Sequence, residues 1–243
     1  MKNSMKAGAL FVAGIFALSG CGSSAEGSES DSAGSSPAAS KSASPSPTLA
    51  VGQEQYDAAE LVAALDAVNA AQGGTGEISD DAAMRDYLQQ QGFSEGVTVS
   101  PAQCEEIASF VSFFGDVEEA NIASLKLDNQ KLTVVSHSDA SALDSLMQDN
   151  AKLADECAEF EMGDEEFTAV GATESLEVST DAPTTQAFTM TMSAEGETLS
   201  GLKVSSASGT TNIVVTDSDA ANPDEASAEA AELIDAVLEQ LQK

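Results

Sequence analysis

Residues 167–215 read FTAVGATESLEVSTDAPTTQAFTMTMSAEGETLSGLKVSSASGTTNIVV. The stretch is rich in Thr, Val and Ser, and turn residues interrupt it near Ala182-Pro183, Glu195-Gly196 and Ser208-Gly209. Phe188, Met190 and Met192 alternate with threonines, the period of a half-buried strand. Four strands of an antiparallel meander are expected here. Upstream, Ile122, Leu125, Leu127, Leu132 and Val134 flank Asp128-Asn129, so Asn121 to His137 reads as a hairpin.

The segments around these strands have helical spacing. Leu61, Val62, Leu65 and Val68 place one apolar stripe on Ala58 to Ala71, and Gly73-Gly74 ends it. Asp80 to Gln91 reads as a short second helix. Ser100-Pro101-Ala102-Gln103 has the composition of a helix start, with Ser100 as cap, Pro101 in the first turn and Gln103 reaching back; that helix is expected to continue through Phe110. Asp139 to Phe160 carries Leu143, Leu146, Met147, Leu153 and Cys157 at helical intervals. Asn222-Pro223-Asp224-Glu225 opens a last amphipathic helix with Leu233, Ile234, Val237, Leu238 and Leu241. The expected class is α+β: an antiparallel β-sheet with packed helices.

The N-terminus carries a different signal. Lys2 and Lys6 precede an apolar run from Ala7 to Leu18, too short to span ~30 Å of hydrocarbon and of the length found in export signals. The run ends in Leu18-Ser19-Gly20-Cys21, which resembles the bacterial lipobox. The resemblance implies that Cys21 receives diacylglycerol and becomes the mature N-terminus. Two acyl chains anchor a protein stably, at about 0.8 kcal/mol per buried CH₂. The expected organisation is a signal peptide over 1–20, a lipidated Cys21 with a Ser/Ala/Gly/Pro tether over 21–50, and one folded domain over 51–243. The tether composition favours a random coil with a reach on the order of 30 Å. The expected location is the extracytoplasmic face of the cell membrane.

Charge narrows the partners. Among 243 residues, Lys plus Arg number 9 and Asp plus Glu 41, giving a formal net charge of −32. Removal of residues 1–20 takes two lysines and no acid, leaving −34. A chain so acidic does not displace counterions from nucleic acid, so no nucleic-acid partner is expected. The single His excludes a His-rich metal site and disfavours a Ser-His-Asp triad. Neither a metal nor a cofactor is expected.

Three cysteines occur. With Cys21 lipidated, Cys104 and Cys157 remain, both on apolar faces of expected helices in a compartment that permits disulfides. A Cys104–Cys157 bond stapling the domain is expected, rather than two buried free thiols or a metal pair.

The other constellations have bland readings that fit better. Ser200-Gly201-Leu202-Lys203 has the S-x-x-K spacing of penicillin-binding proteins, but on a strand those two side chains face opposite sides, and no S-x-N or K-T-G accompanies them. Phe188, Met190 and Met192 suit a core or apolar pocket better than Cu(I). Asp155, Glu156, Glu159, Glu161 and 164–166 form an acidic stretch without EF-hand spacing, read as a solvated surface. His137 reads as a structural residue.

The order of elements resembles the extracellular sensor domain of mycobacterial PknH-type Ser/Thr kinases and its free-standing lipoprotein relatives in actinobacteria. The carrying residues are Ser100-Pro101-Ala102-Gln103-Cys104, the helix end Ala154-Asp155-Glu156-Cys157, the strand Asn212-Ile213-Val214-Val215 and the final helix of the Ala230 to Leu241 kind. The kinase domain, the membrane helix, the second disulfide and the Trp residues of the kinase sensor are absent, so its ligand contacts do not carry over. The resemblance implies a cleft for an extracellular ligand. The expected function is a non-enzymatic, lipid-anchored sensor-like or ligand-binding domain for an unidentified small molecule, cell-wall fragment or protein. The alternative is a lipid or glycolipid carrier with an open apolar cavity. Ligand-binding residues are not identified by sequence.

Overall fold

A computed structural model of the chain describes residues 51–90, 97–105, 114–164 and 167–243. Residues 1–50, Cys21 among them, and residues 106–110, over which the helix from Ser100 was expected to continue, lie outside the described residues. Among those described are four α-helices and nine strands. The helices are α1 (Ala58–Ala71), α2 (Asp81–Gln89), α3 (Ala140–Glu156) and α4 (Pro223–Leu241). The strands are β1 (Glu77–Ser79), β2 (Thr98–Ser100), β3 (Asn121–Lys126), β4 (Gln130–Ser136), β5 (Glu159–Gly163), β6 (Thr168–Leu176), β7 (Thr184–Ala194), β8 (Glu197–Ser208) and β9 (Thr211–Asp217). They form one antiparallel sheet in the order β1-β3-β4-β9-β8-β7-β6-β5-β2. The class is α+β, with the expected hairpin as β3–β4 and the expected meander as β6–β9.

Helices cover both faces of this sheet. On the first face, Leu61, Leu65 and Val68 of α1 and Ile234, Val237 and Leu238 of α4 pack on Leu125, Leu132, Val204 and Val215. Fully burying one such side chain contributes about 1.5–3 kcal/mol. The spacing of the apolar residues on α1 and α4 decides which side of each helix meets the sheet. Asp57 fixes where α1 begins: its carboxylate accepts from the Glu60 amide, and the Asp57 amide donates to the Glu60 carboxylate, each at 2.8 Å.

On the second face the helices sit apart. Met84 and Leu88 of α2 pack with Phe114 on Ile122, Val135 and Val214 at one end. At the other, Leu143 and Met147 of α3 pack on Ala207. Beyond them, Ala154 and both cysteines meet Phe160 and Phe188.

Two expected details differ. Ser100 is not a helix cap. It is the last residue of β2, paired with Glu161, and Pro101 precedes a single 3-10 turn (Ala102–Cys104) with no side-chain cap. Ladder pairing with β5 holds Ser100 in extended geometry. Phe160 does not end the long helix either: the helix stops at Glu156 with Cys157 as its cap, and Phe160 begins to alternate in β5.

The chain enters this domain through a strap, Val51 to Asp57, fastened to one end of the strands. Ser208 Oγ donates to Val51 O at 3.0 Å and the Thr210 amide to Gly52 O at 2.8 Å. The Tyr56 amide donates to Ser136 Oγ at 2.8 Å, and Tyr56 OH to Leu241 O at 2.9 Å. Gly52 has φ +74°, and a Cβ there would lie 1.9 Å from Ser208 O. Gly52→Ala is expected to destabilise the domain by about 2 kcal/mol through left-handed strain and this collision, read as a lower urea midpoint.

Candidate functional site

Sheet register places one continuous row of side chains across the second face. Glu77 stands opposite Lys126, Lys126 opposite Lys131, Lys131 opposite Thr216, Thr216 opposite Lys203 and Lys203 opposite Phe188. Each member comes from a different strand, so only the assembled sheet brings them together. Three of the chain's nine basic residues are in this row.

The row opens into a groove of about 440 Å³ at the β3–β4 turn, on the α2 side. Ser79, Tyr87, Ser124, Lys126, Lys131 and Thr216 line it, with Glu77 and Asp128 also on its wall. The Lys131 ammonium lies 3.7 Å over the Tyr87 ring, a cation–π contact that fixes both side chains. Burial pushes Lys131 below its ordinary pKa, and the like charge of Lys126 pushes the same way. Lys126 is exposed and forms no salt bridge among the described residues. The groove lies at the end of β3, β4 and β9 opposite the strap: Asn121, Ser136 and Thr211 are at the strap end, and Lys126, Lys131 and Thr216 are at the groove. Five residue steps of strand separate them, about 17 Å.

Farther along the row, Lys203 is 6% exposed, with its ammonium 5.9 Å from the Phe188 ring. Burial sets its pKa well below the ordinary lysine value. Ser200 pairs with Thr191 and lies on the opposite face of β8, so Ser200 and Lys203 do not meet as a nucleophile and base.

The disulfide joins Cys104 and Cys157 with Cα atoms 5.6 Å apart. It ties the turn after β2 to the end of α3. Thr173 Oγ1 closes the same corner by donating to Ala154 O and Cys157 O at 2.8 and 3.0 Å. Phe188, Met190 and Met192 stand on the side of the sheet that carries the disulfide, with Met162 and Val99 beside them. Gly171 leaves the space in which Phe160 lies. Part of the acidic stretch is strand β5, with Glu159 and Glu161 exposed and Phe160 buried. No cluster of three or more His, Cys, Asp or Glu able to hold a metal occurs among the described residues.

His137 is 6% exposed and follows β4, its amide donating to Thr210 O at 2.8 Å. Burial pushes its pKa down, opposed by a backbone hydrogen bond at Asp116 and by that residue's charge. The unfolded chain therefore binds the proton more readily, and stability falls as pH drops below about 6.5 until the folded form also protonates. His137→Gln is expected to reduce the difference between urea midpoints measured at pH 7.5 and 5.5.

No helix among the described residues is long and apolar enough to cross a membrane. No protein-family model matches the chain, and no curated protein is significantly similar to it. Solved structures do match. An uncharacterised protein from Mycobacterium smegmatis (the Rv0999 ortholog) aligns at 16% identity over 74% of this chain and 97% of that one, with a TM-score of 0.46. The extracellular domain of PknH from Mycobacterium tuberculosis aligns at 18% identity over 77% of this chain and 100% of that one, with a TM-score of 0.51. The described domain has the fold of that PknH extracellular domain.

Proposed function

We propose that this chain is a lipid-anchored, extracytoplasmic, sensor-like domain that binds a ligand in the groove between α2 and the β3–β4 turn and performs no chemistry on it. The observation that carries the reading is the placement of that groove. It lies at the end of the strands opposite the strap through which the chain enters the domain, so the strap leaves it uncovered. A shared fold with an extracellular domain supports the location. Fold alone does not assign a function, and the groove supplies the binding argument. Its wall mixes ammonium, carboxylate, hydroxyl and one aromatic ring, which suits a small polar ligand better than a stored lipid.

Two measurements test the two halves. Cys21→Ser is expected to abolish incorporation of labelled palmitate into the protein; unchanged incorporation would contradict the anchor. The full exported chain, released in mild detergent, is expected to unfold at a higher temperature in a low-molecular-mass extract of the cell envelope. A shift of about 2.7 kcal/mol is expected at a ligand concentration one hundred times Kd. An unchanged transition across envelope and medium extracts would contradict ligand binding.

A further inference from the structure

Like charges directly opposite on one face of a sheet are unfavourable, yet Lys126 and Lys131 face each other there. Neighbouring strands hold their Cβ atoms about 5 Å apart, close enough for one multivalent anion to touch both ammonium groups. Tyr87 pins Lys131, so part of the ordering cost of a binding site is already met. Thr216 continues the row beside Lys131, and Ser79 brings a further hydroxyl from β1. Glu77 and Asp128 on the same wall raise the cost of any bound anion, so only a group that engages both lysines at once offsets it.

We infer that the groove recognises a phosphoryl group, held between Lys126 and Lys131 beside Tyr87. This rests on the binding reading above and narrows it to a ligand class. A phosphate monoester carries close to two charges at neutral pH and offers three acceptor oxygens, which suits two ammonium groups and a neighbouring hydroxyl.

Tyrosine emission provides the readout. The chain has two tyrosines and no Trp, and Tyr87 is the one in the groove. The full exported chain is titrated with inorganic phosphate, with acetate and chloride matched for ionic strength. A saturable change with phosphate alone is expected. Lys126→Gln is expected to weaken it about tenfold or more, Lys126→Arg to retain most of it, and Lys152→Gln, far from the groove, to leave it unchanged. An equal response to acetate or chloride, or an unaltered response in Lys126→Gln, would overturn the inference. Vesicles of phosphatidylcholine with and without phosphatidic acid, whose headgroup is a phosphate monoester, separate the sources. Extra binding to the vesicles that contain phosphatidic acid, displaced by inorganic phosphate, assigns the site to a lipid headgroup; equal binding to both kinds assigns it to a soluble phosphate ester. Thermal stabilisation by envelope extract stripped of phosphate compounds, with no response to phosphate, would overturn this inference and leave the binding reading standing. No response to either would overturn both.

Discussion

Replacing Cys104 and Cys157 together by serine is expected to lower the unfolding free energy by about 4 kcal/mol, the loop-entropy value for residues 53 apart. For a domain of this size the midpoint of thermal unfolding falls by roughly 8–16 °C. The bond closes a long loop that runs from the turn after β2, through β3 and β4, to the end of α3. Without it, the unfolded chain regains the freedom of that whole segment. The folded state also loses a contact that seats α3 over β5 and β6, since both sulfurs are packed among Ala154, Phe160 and Phe188. The double variant is the right comparison, because a single serine leaves a buried thiol. Chemical denaturation of the variant against the oxidised chain measures the effect. An unfolding energy unchanged within 1 kcal/mol would contradict the staple.

The second large effect is expected at α4. Ile234 is completely buried where α4 meets the first face of the sheet and α1. Ile234→Ala removes three carbon atoms from a site enclosed on all sides, and is expected to cost about 2–5 kcal/mol. Glu232, two residues earlier and exposed, serves as the control: Glu232→Ala is expected to change stability by less than about 0.5 kcal/mol. Equal urea midpoints for the two variants would mean that α4 does not carry the core described.

Much of this architecture was legible as periodicity. The strands β6 to β9 run over seven to twelve residues rich in Thr, Val and Ser, turn residues separate them, and Phe188, Met190 and Met192 alternate in β7. The terminal helix repeats its apolar stripe over nineteen residues. The three strands without a sequence signal are short. β1 and β2 have three residues each, below the length at which alternation can be distinguished from chance. β5 was hidden by its charge: Glu159 and Glu161 point to solvent at the uncovered end of the first face, while Phe160, between them, is 2% exposed. Ser100 illustrates a local pattern overridden by tertiary context, since pairing with β5 replaces the helix cap its neighbours suggest.

The staple was legible because only two cysteines remain once Cys21 is set aside. The groove was not. Lys126 and Lys131 are close in sequence, but their juxtaposition depends on which residues the β3–β4 turn makes opposite. Thr216 joins them through the β4–β9 pairing, 85 residues from Lys131 in sequence, and Lys203 follows through the local β8–β9 pairing. Tyr87 arrives from helix α2, with no sequence spacing that links it to Lys131. Strand reasoning did separate Ser200 from Lys203 onto opposite faces, and the register agrees.

Labelling intact producing cells with a membrane-impermeant amine reagent tests the central claim most directly, because it reads location and groove occupancy together. Lys152 and Lys243 are exposed and far from the groove, so both are expected to react fully on intact cells. Lys126 is expected to react more slowly on cells than in the purified, ligand-free chain, because a bound ligand covers it. Lysines that react only after lysis, or a Lys126 that labels equally on cells and in purified protein, would contradict an extracytoplasmic domain with a ligand in this groove.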